Sequence, residues 1–132
     1  MPPLITLLTS ESAECQKCAA MALCNLASNQ KNQRLIAEKG GIPPLITLMD
    51  SPVTLCQRYA AMALCNLAAN TQNQRDEVLC GVLPSLIQSS MSEDLDCQRY
   101  VAMCLCNLST LGKPRRDGGC GRASSSRHAD GI

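Results

Sequence analysis

The hydrophobic residues at the start of the chain fall into two helical stretches. Leu4, Ile5, Leu7 and Leu8 predict a short apolar helix behind Pro2 and Pro3. Proline suits a first helical turn, where its missing N–H would have no intrahelical partner anyway. Ser10 predicts the start of a longer helix. At helical periodicity, Cys15, Ala19, Ala22, Leu23 and Leu26 fall within about 100° and form a core stripe. Ala20 and Cys24 make a second flank of small residues, and Cys18, Met21, Asn25 and Asn29 a third face. A helix apolar on one side and small on another is sandwiched between neighbours rather than laid on a surface. The third face is left for solvent or a ligand.

The same pattern returns twice. ECQKCAAMALCNLASN, from Glu14, is followed 41 residues on by LCQRYAAMALCNLAAN, from Leu55. A further 41 residues brings the Cys15/Cys56 column to Cys97 and the Asn25/Asn66 column to Asn107. Between these long helices the sequence predicts two shorter ones. Asn32 caps a helix to Lys39, Gly40 and Gly41 stop it, and Pro43 and Pro44 restart the chain as a helix over Leu45 to Asp50. Ser51 and Pro52 then predict an N-cap and first-turn proline for the next long helix, with Asn70 as its C-terminal stop. Asn73, Gly81, Pro84 and Ser92 repeat the plan. The units are a partial repeat at 1–29 and repeats at 30–70 and 71–111. From Gly112 no apolar period survives, so 112–132 is expected to be a disordered Gly/Ser/Arg-rich tail.

Composition narrows the class. Of 132 residues, 45% are hydrophobic but only 2% aromatic, with no Trp or Phe. The core must therefore be built from Leu, Ile, Met, Ala and Cys. The net charge of +1 argues against electrostatic steering toward nucleic acid or an anionic membrane. No segment approaches the roughly 20 apolar residues of a membrane span. The N-terminus has no basic leader, which speaks against a signal peptide, and Pro2 excludes a myristoyl anchor. Six of the ten cysteines recur in helical columns and Cys104 takes the Ala22/Ala63 column, where a free thiol packs as a small hydrophobe. Reduced structural thiols in a cytoplasmic protein, with the nucleus as the other compartment, are expected.

A period near 40 with a Gly-bounded short helix, a Pro-started second helix and a long third helix is an α-solenoid pattern. GIPPLITLMDSPVTLCQRYAAMALCNLA (Gly41 to Ala68) and GVLPSLIQSSMSEDLDCQRYVAMCLCNLS (Gly81 to Ser109) resemble the armadillo repeat over their whole length. NQRLIAEKGGIPPL, from Asn32, is more similar to the β-catenin branch and the yeast vacuolar armadillo scaffold than to importin-α. The resemblance implies an all-α, right-handed armadillo-repeat solenoid of about two and two-thirds repeats. It also implies a non-catalytic scaffold or adaptor that binds an extended peptide along the concave face of the third helices.

The expected peptide-binding rows are Tyr59 and Tyr100 in the Cys18 column, Met21, Met62 and Met103, and Asn25, Asn66 and Asn107. These columns are spaced i, i+3, i+7 and so share one helical face. A side-chain amide offers a donor and an acceptor to a peptide backbone, and Met and Tyr offer adaptable apolar contact. The same Asn residues could instead satisfy local backbone groups, and the Met residues could be packing. Arg58 and Arg99, with Lys17 in the first copy, lie beside the face, either pairing with acidic partner segments or solvated.

In importin-α the third helix carries a Trp four residues before its Asn. That column here is Met21, Met62 and Met103, which removes the flat rings that grip a Lys stem. A nuclear transport receptor for basic signals is thus an alternative, and the substrate-binding fragment of an armadillo-containing ubiquitin ligase is another.

No cofactor, metal or nucleic-acid partner is expected, and no membrane insertion. Cys15-x-x-Cys18 lies mid-helix with the single His128 far away, which disfavours a metal site. His128 and Asp130 in a flexible tail cannot make a rigid catalytic triad. A solenoid needs its apolar ends covered. The chain is accordingly expected to be a fragment of a longer armadillo protein, or to self-associate through uncapped repeat ends.

Overall fold

The structure, a computed structural model, describes residues 2–110, with side chains from Leu4. The expected tail lies outside these residues. They form eight α-helices: α1 (Pro2–Leu7), α2 (Ala13–Leu26), α3 (Gln30–Glu38), α4 (Ile42–Leu48), α5 (Thr54–Leu67), α6 (Thr71–Leu79), α7 (Val82–Ser89) and α8 (Leu95–Leu108). The long helices α2, α5 and α8 stack side by side, α5 in the middle touching both others. The second helix of each unit leans on its own long helix: α1 on α2, α4 on α5, α7 on α8. The short first helices α3 and α6 pack on each other.

The burial of equivalent residues shows how the stack is built. In α5, Cys56, Ala60, Ala61, Ala63, Leu64, Cys65 and Leu67 are all buried. In α2 the flank toward α5 is buried (Ala20, Cys24), but Cys15 is exposed and Ala22 half-buried. In α8 the reverse holds: Cys97 and Cys104 are buried while Ala102 is exposed. The Cys15/Ala22 flank therefore meets the preceding unit and the Ala20/Cys24 flank the following one. Small side chains on both flanks let the helices approach closely, while Leu23, Leu64, Leu45 and Leu86, none of them exposed, fill each unit's own core.

The helix starts differ from the sequence expectation by two or three residues. The caps of the first and third long helices are Ser12 and Asp94, whose side chains accept from the Cys15 and Cys97 amides. The corresponding Val53 of α5 gives no side-chain cap. Ser10, Ser51 and Ser92 sit two residues before these positions, and their hydroxyls accept the amide two residues on. Their carbonyls take the side-chain amide of Gln16, Gln57 and Gln98 respectively. The serines thus shape the turn into the long helix, and the Gln six residues later clamps it.

Asn29 and Asn70, rather than Asn32 and Asn73, cap the short helices α3 and α6. Asn70, read as a stop, is a start. Gly40 and Gly81 do end the short helices, at φ of 84° and 87°. That left-handed backbone favours glycine because it lacks a Cβ.

One buried position breaks the repeat's chemistry. Ile36 in α3 is fully buried, and 41 residues on stands Glu77, also without exposure. One carboxyl oxygen of Glu77 accepts from the Cys104 thiol at 3.6 Å; the other has no partner. Burial pushes the Glu77 pKa well above its ordinary 4.5, against the lowering effect of the Cys104 contact. The neighbouring glycine column changes with it. A Cβ on Gly41 would stand 2.7 Å from Ile36 Cγ2. In the third unit the Gly41 column holds buried Val82. Glu77, unbranched at Cβ, leaves the space that Val82 takes.

Two predictions follow from this packing. Leu64→Ala, at the centre of the stack, is expected to cost about 2–5 kcal/mol in urea unfolding. Glu77 should make stability pH-dependent. The folded chain holds its proton more tightly than the unfolded chain, so its contribution is complete below the ordinary carboxylate pKa. It is lost as pH rises through the folded value. Glu77→Leu is expected to raise the urea midpoint at pH 8 and to flatten its decline between pH 5 and pH 8. A midpoint lowered equally at both pH values would show that the carboxyl is needed rather than tolerated.

Candidate functional site

The predicted rows lie on α2, α5 and α8 and share one side of the stack, but their exposure is graded. Asn25 and Cys18 are exposed, and Met21 is half-buried. Tyr59, Met62 and Tyr100 are half-buried and pack against the core, while Met103 is 42% exposed. Asn66 is half-buried and Asn107 only 8% exposed.

The Asn row has a structural task wherever a unit precedes it. Asn66 Nδ2 donates to the Cys24 carbonyl at 3.0 Å, and Asn107 Nδ2 to the Cys65 carbonyl at 3.2 Å. Those carbonyls sit in the last turn of α2 and α5, where helical partners run out. The amides four residues on turn elsewhere, Ser28 to Asn25 and Ala69 to Asn66. Each Asn therefore closes the end of the preceding unit's long helix. Asn25 makes no such bond. Gln33 and Gln74 do a similar job from the short helix that follows, donating across the unit boundary to the Ala27 and Ala68 carbonyls at 2.9 Å.

The cations beside the face are engaged within the chain. Arg58 grips Asp94 through Nη2 at 2.8 Å and Nε at 3.1 Å, joining the second unit to the cap of the third. This bond, with the Cys97 amide as the lesser cause, lowers the Asp94 pKa. Lys17 pairs with Glu14 at 3.1 Å, and Arg99 with Asp96 at 2.7 Å. The Arg99 guanidinium also sits 5.6 Å from the Tyr100 ring centroid. On the opposite side of the stack, Arg34 Nη1 bonds Asn73 Oδ1 at 2.7 Å and Asp76 Oδ2 at 2.8 Å. Asn73 in turn donates to the Gln33 carbonyl at 2.9 Å. The Gln16 column, identical in all three units, could have been read as structural from its recurrence. Asp94 and Asp76, each occurring in one unit only, gave no such signal.

Most thiols behave as packing. Cys15, Cys18, Cys24, Cys56, Cys65, Cys80, Cys97 and Cys104 are free. Burial pushes the Cys65 thiol up to about 11. Cys106 departs from the reduced-thiol expectation, being disulfide-bonded. Among the described residues no cluster of His, Cys, Asp or Glu could hold a metal ion, and no helix is long and apolar enough to cross a membrane.

A row of like helices, tied unit to unit and leaving one side uncovered, defines an α-solenoid. Residues 29–69 match the family model for the Armadillo/beta-catenin-like repeat, so the chain carries an armadillo repeat. No curated protein matches it. Among solved structures, an engineered protein from a structural genomics consortium matches with a TM-score of 0.80 and 31% identity, over 83% of this chain and 45% of that one. A designed armadillo repeat protein in complex with the peptide (KR)4 matches at 0.76 and 28%, over 81% and 46%. Computationally designed armadillo repeat proteins for modular peptide recognition match at 0.76 and 28%, over 80% and 45%. The chain spans less than half the length of these structures.

The Asn row yields a contrast. Asn66→Ala leaves the Cys24 carbonyl unpaired and is expected to cost about 1–3 kcal/mol. Asn25→Ala, on the exposed first unit, should stay within about 0.5 kcal/mol. Urea unfolding of the two variants checks this; equal losses would show that the inter-unit bond contributes nothing.

Proposed function

We propose that this protein is a non-catalytic interaction scaffold, an adaptor that holds an extended segment of a partner protein along the concave side of α2, α5 and α8. The observation that carries this reading is the alignment of Met21, Met62 and Met103 with Tyr59, Tyr100 and Asn25 on one incompletely covered side of three stacked helices. The structural neighbours include designed proteins for peptide recognition, which supports a peptide as the partner. Asn25 is the row member with its amide uncommitted to the fold and is the lead candidate for a backbone contact. Asn66 and Asn107, whose Nδ2 groups hold the inter-unit bonds, are secondary candidates. The eight free thiols support a reducing compartment, the cytoplasm or nucleus. Binding of basic nuclear signals is the weaker reading, because Met replaces the ring that a Lys stem would lie on.

Methionine methyl NMR tests the proposal directly. Met21, Met62 and Met103 report on the groove; Met49, buried beside α5, and Met91, 80% exposed in the loop after α7, lie off it. A peptide selected from an extended-peptide library should shift the first three and leave the other two unmoved. Asn25→Ala should weaken its binding without lowering stability. Shifts confined to Met49 and Met91 would place binding elsewhere.

A further inference from the structure

We infer that the partner segment is uncharged and apolar, an extended stretch with hydrophobic side chains at alternate positions. This rests on the groove reading above and concerns the chemistry of its occupant.

The argument is one of charge. Three cations flank the Tyr and Met columns, and each already holds a carboxylate of the chain: Lys17 with Glu14, Arg58 with Asp94, Arg99 with Asp96. Arg58 Nε also lies 3.9 Å from Asp96. Three positive and three negative groups leave this edge with no net charge. The Met and Asn columns contain no ionisable group in any unit. An acidic peptide would have to displace Asp94 from a two-pronged, partly shielded bond that also ties two units together. A basic peptide would find Glu14, Asp94 and Asp96 occupied and no ring in the Met column to stack on. Either charge would lose water against Met and Tyr without gaining a partner, which discriminates against it. An apolar side chain meets no such cost. Successive side chains of an extended chain point to opposite sides, so alternate residues face the Met and Tyr columns. The peptide backbone lies within the amide chemistry of Asn25.

Fluorescence anisotropy on the full chain with three labelled octapeptides decides this: one alternating Leu and Ser, the basic (KR)4 and an acidic (ED)4. The Leu/Ser peptide is expected to bind at least about tenfold more tightly than either charged one. Its affinity should barely change between about 50 and about 500 mM salt, where screening would weaken ionic binding. The double substitution Asp94→Asn with Asp96→Asn releases Arg58 and Arg99 while keeping a residue able to cap α8. It should raise affinity for (ED)4 by about tenfold or more. Equal or tighter binding of (KR)4 or (ED)4 by the unaltered chain overturns the inference and leaves the groove reading standing. Binding of none of the three peptides overturns the groove reading as well.

Discussion

The long helices can lie side by side only because the flanks they turn to each other carry Ala and Cys. Ala20 and Cys24 on α2, and Cys56 and Ala63 on α5, leave room for backbones to come close. Close approach brings Asn66 within reach of the Cys24 carbonyl and Asn107 within reach of the Cys65 carbonyl. The larger Leu residues are thereby confined to each unit's own interior. A bulky residue on either flank would separate the helices and break the amide bonds with them. The uncovered side exists for the same reason: flanks committed to neighbours leave one face of each helix less covered.

The two junctions are not equal. Between the first and second units the polar ties include the Gln33–Ala27 and Asn66–Cys24 bonds and a weak contact from the Cys56 thiol to the Ala13 carbonyl at 3.6 Å. Between the second and third come the Gln74–Ala68 and Asn107–Cys65 bonds, the Arg58–Asp94 pair and the Arg34–Asn73–Asp76 cluster. Arg58 therefore serves the fold as well as the edge of the proposed groove. In a stack whose stability is a sum of unit and junction terms, opening should begin at the first unit.

The repeat made much of the fold legible. Three copies of one helix, each with a core stripe and a small flank, required a stack, and the side left over is the one proposed to take a peptide. What the sequence concealed was local. Ser51 and Pro52 resemble a helix start because serine caps helices, yet here Gln57 folds back onto the Ser51 carbonyl and delays the helix to Thr54. Asn70 resembles a stop because a helix has just ended, yet it begins the next one. The Asn row was legible as a row. Its partners were not, because an amide facing a peptide and an amide facing a neighbouring helix end have the same spacing in the chain.

The exchange of Ile36 and Gly41 for Glu77 and Val82 constrains how the units could have diverged. Consider a change from the first pairing to the second, one residue at a time. Placing valine opposite isoleucine first would set a methine carbon 2.7 Å from a methyl group, a contact the backbone must move to relieve. Placing glutamate opposite glycine first leaves only a small gap and a buried acid that can keep its proton. The passable intermediate is the loosely packed one. On that route the buried carboxyl comes before the valine.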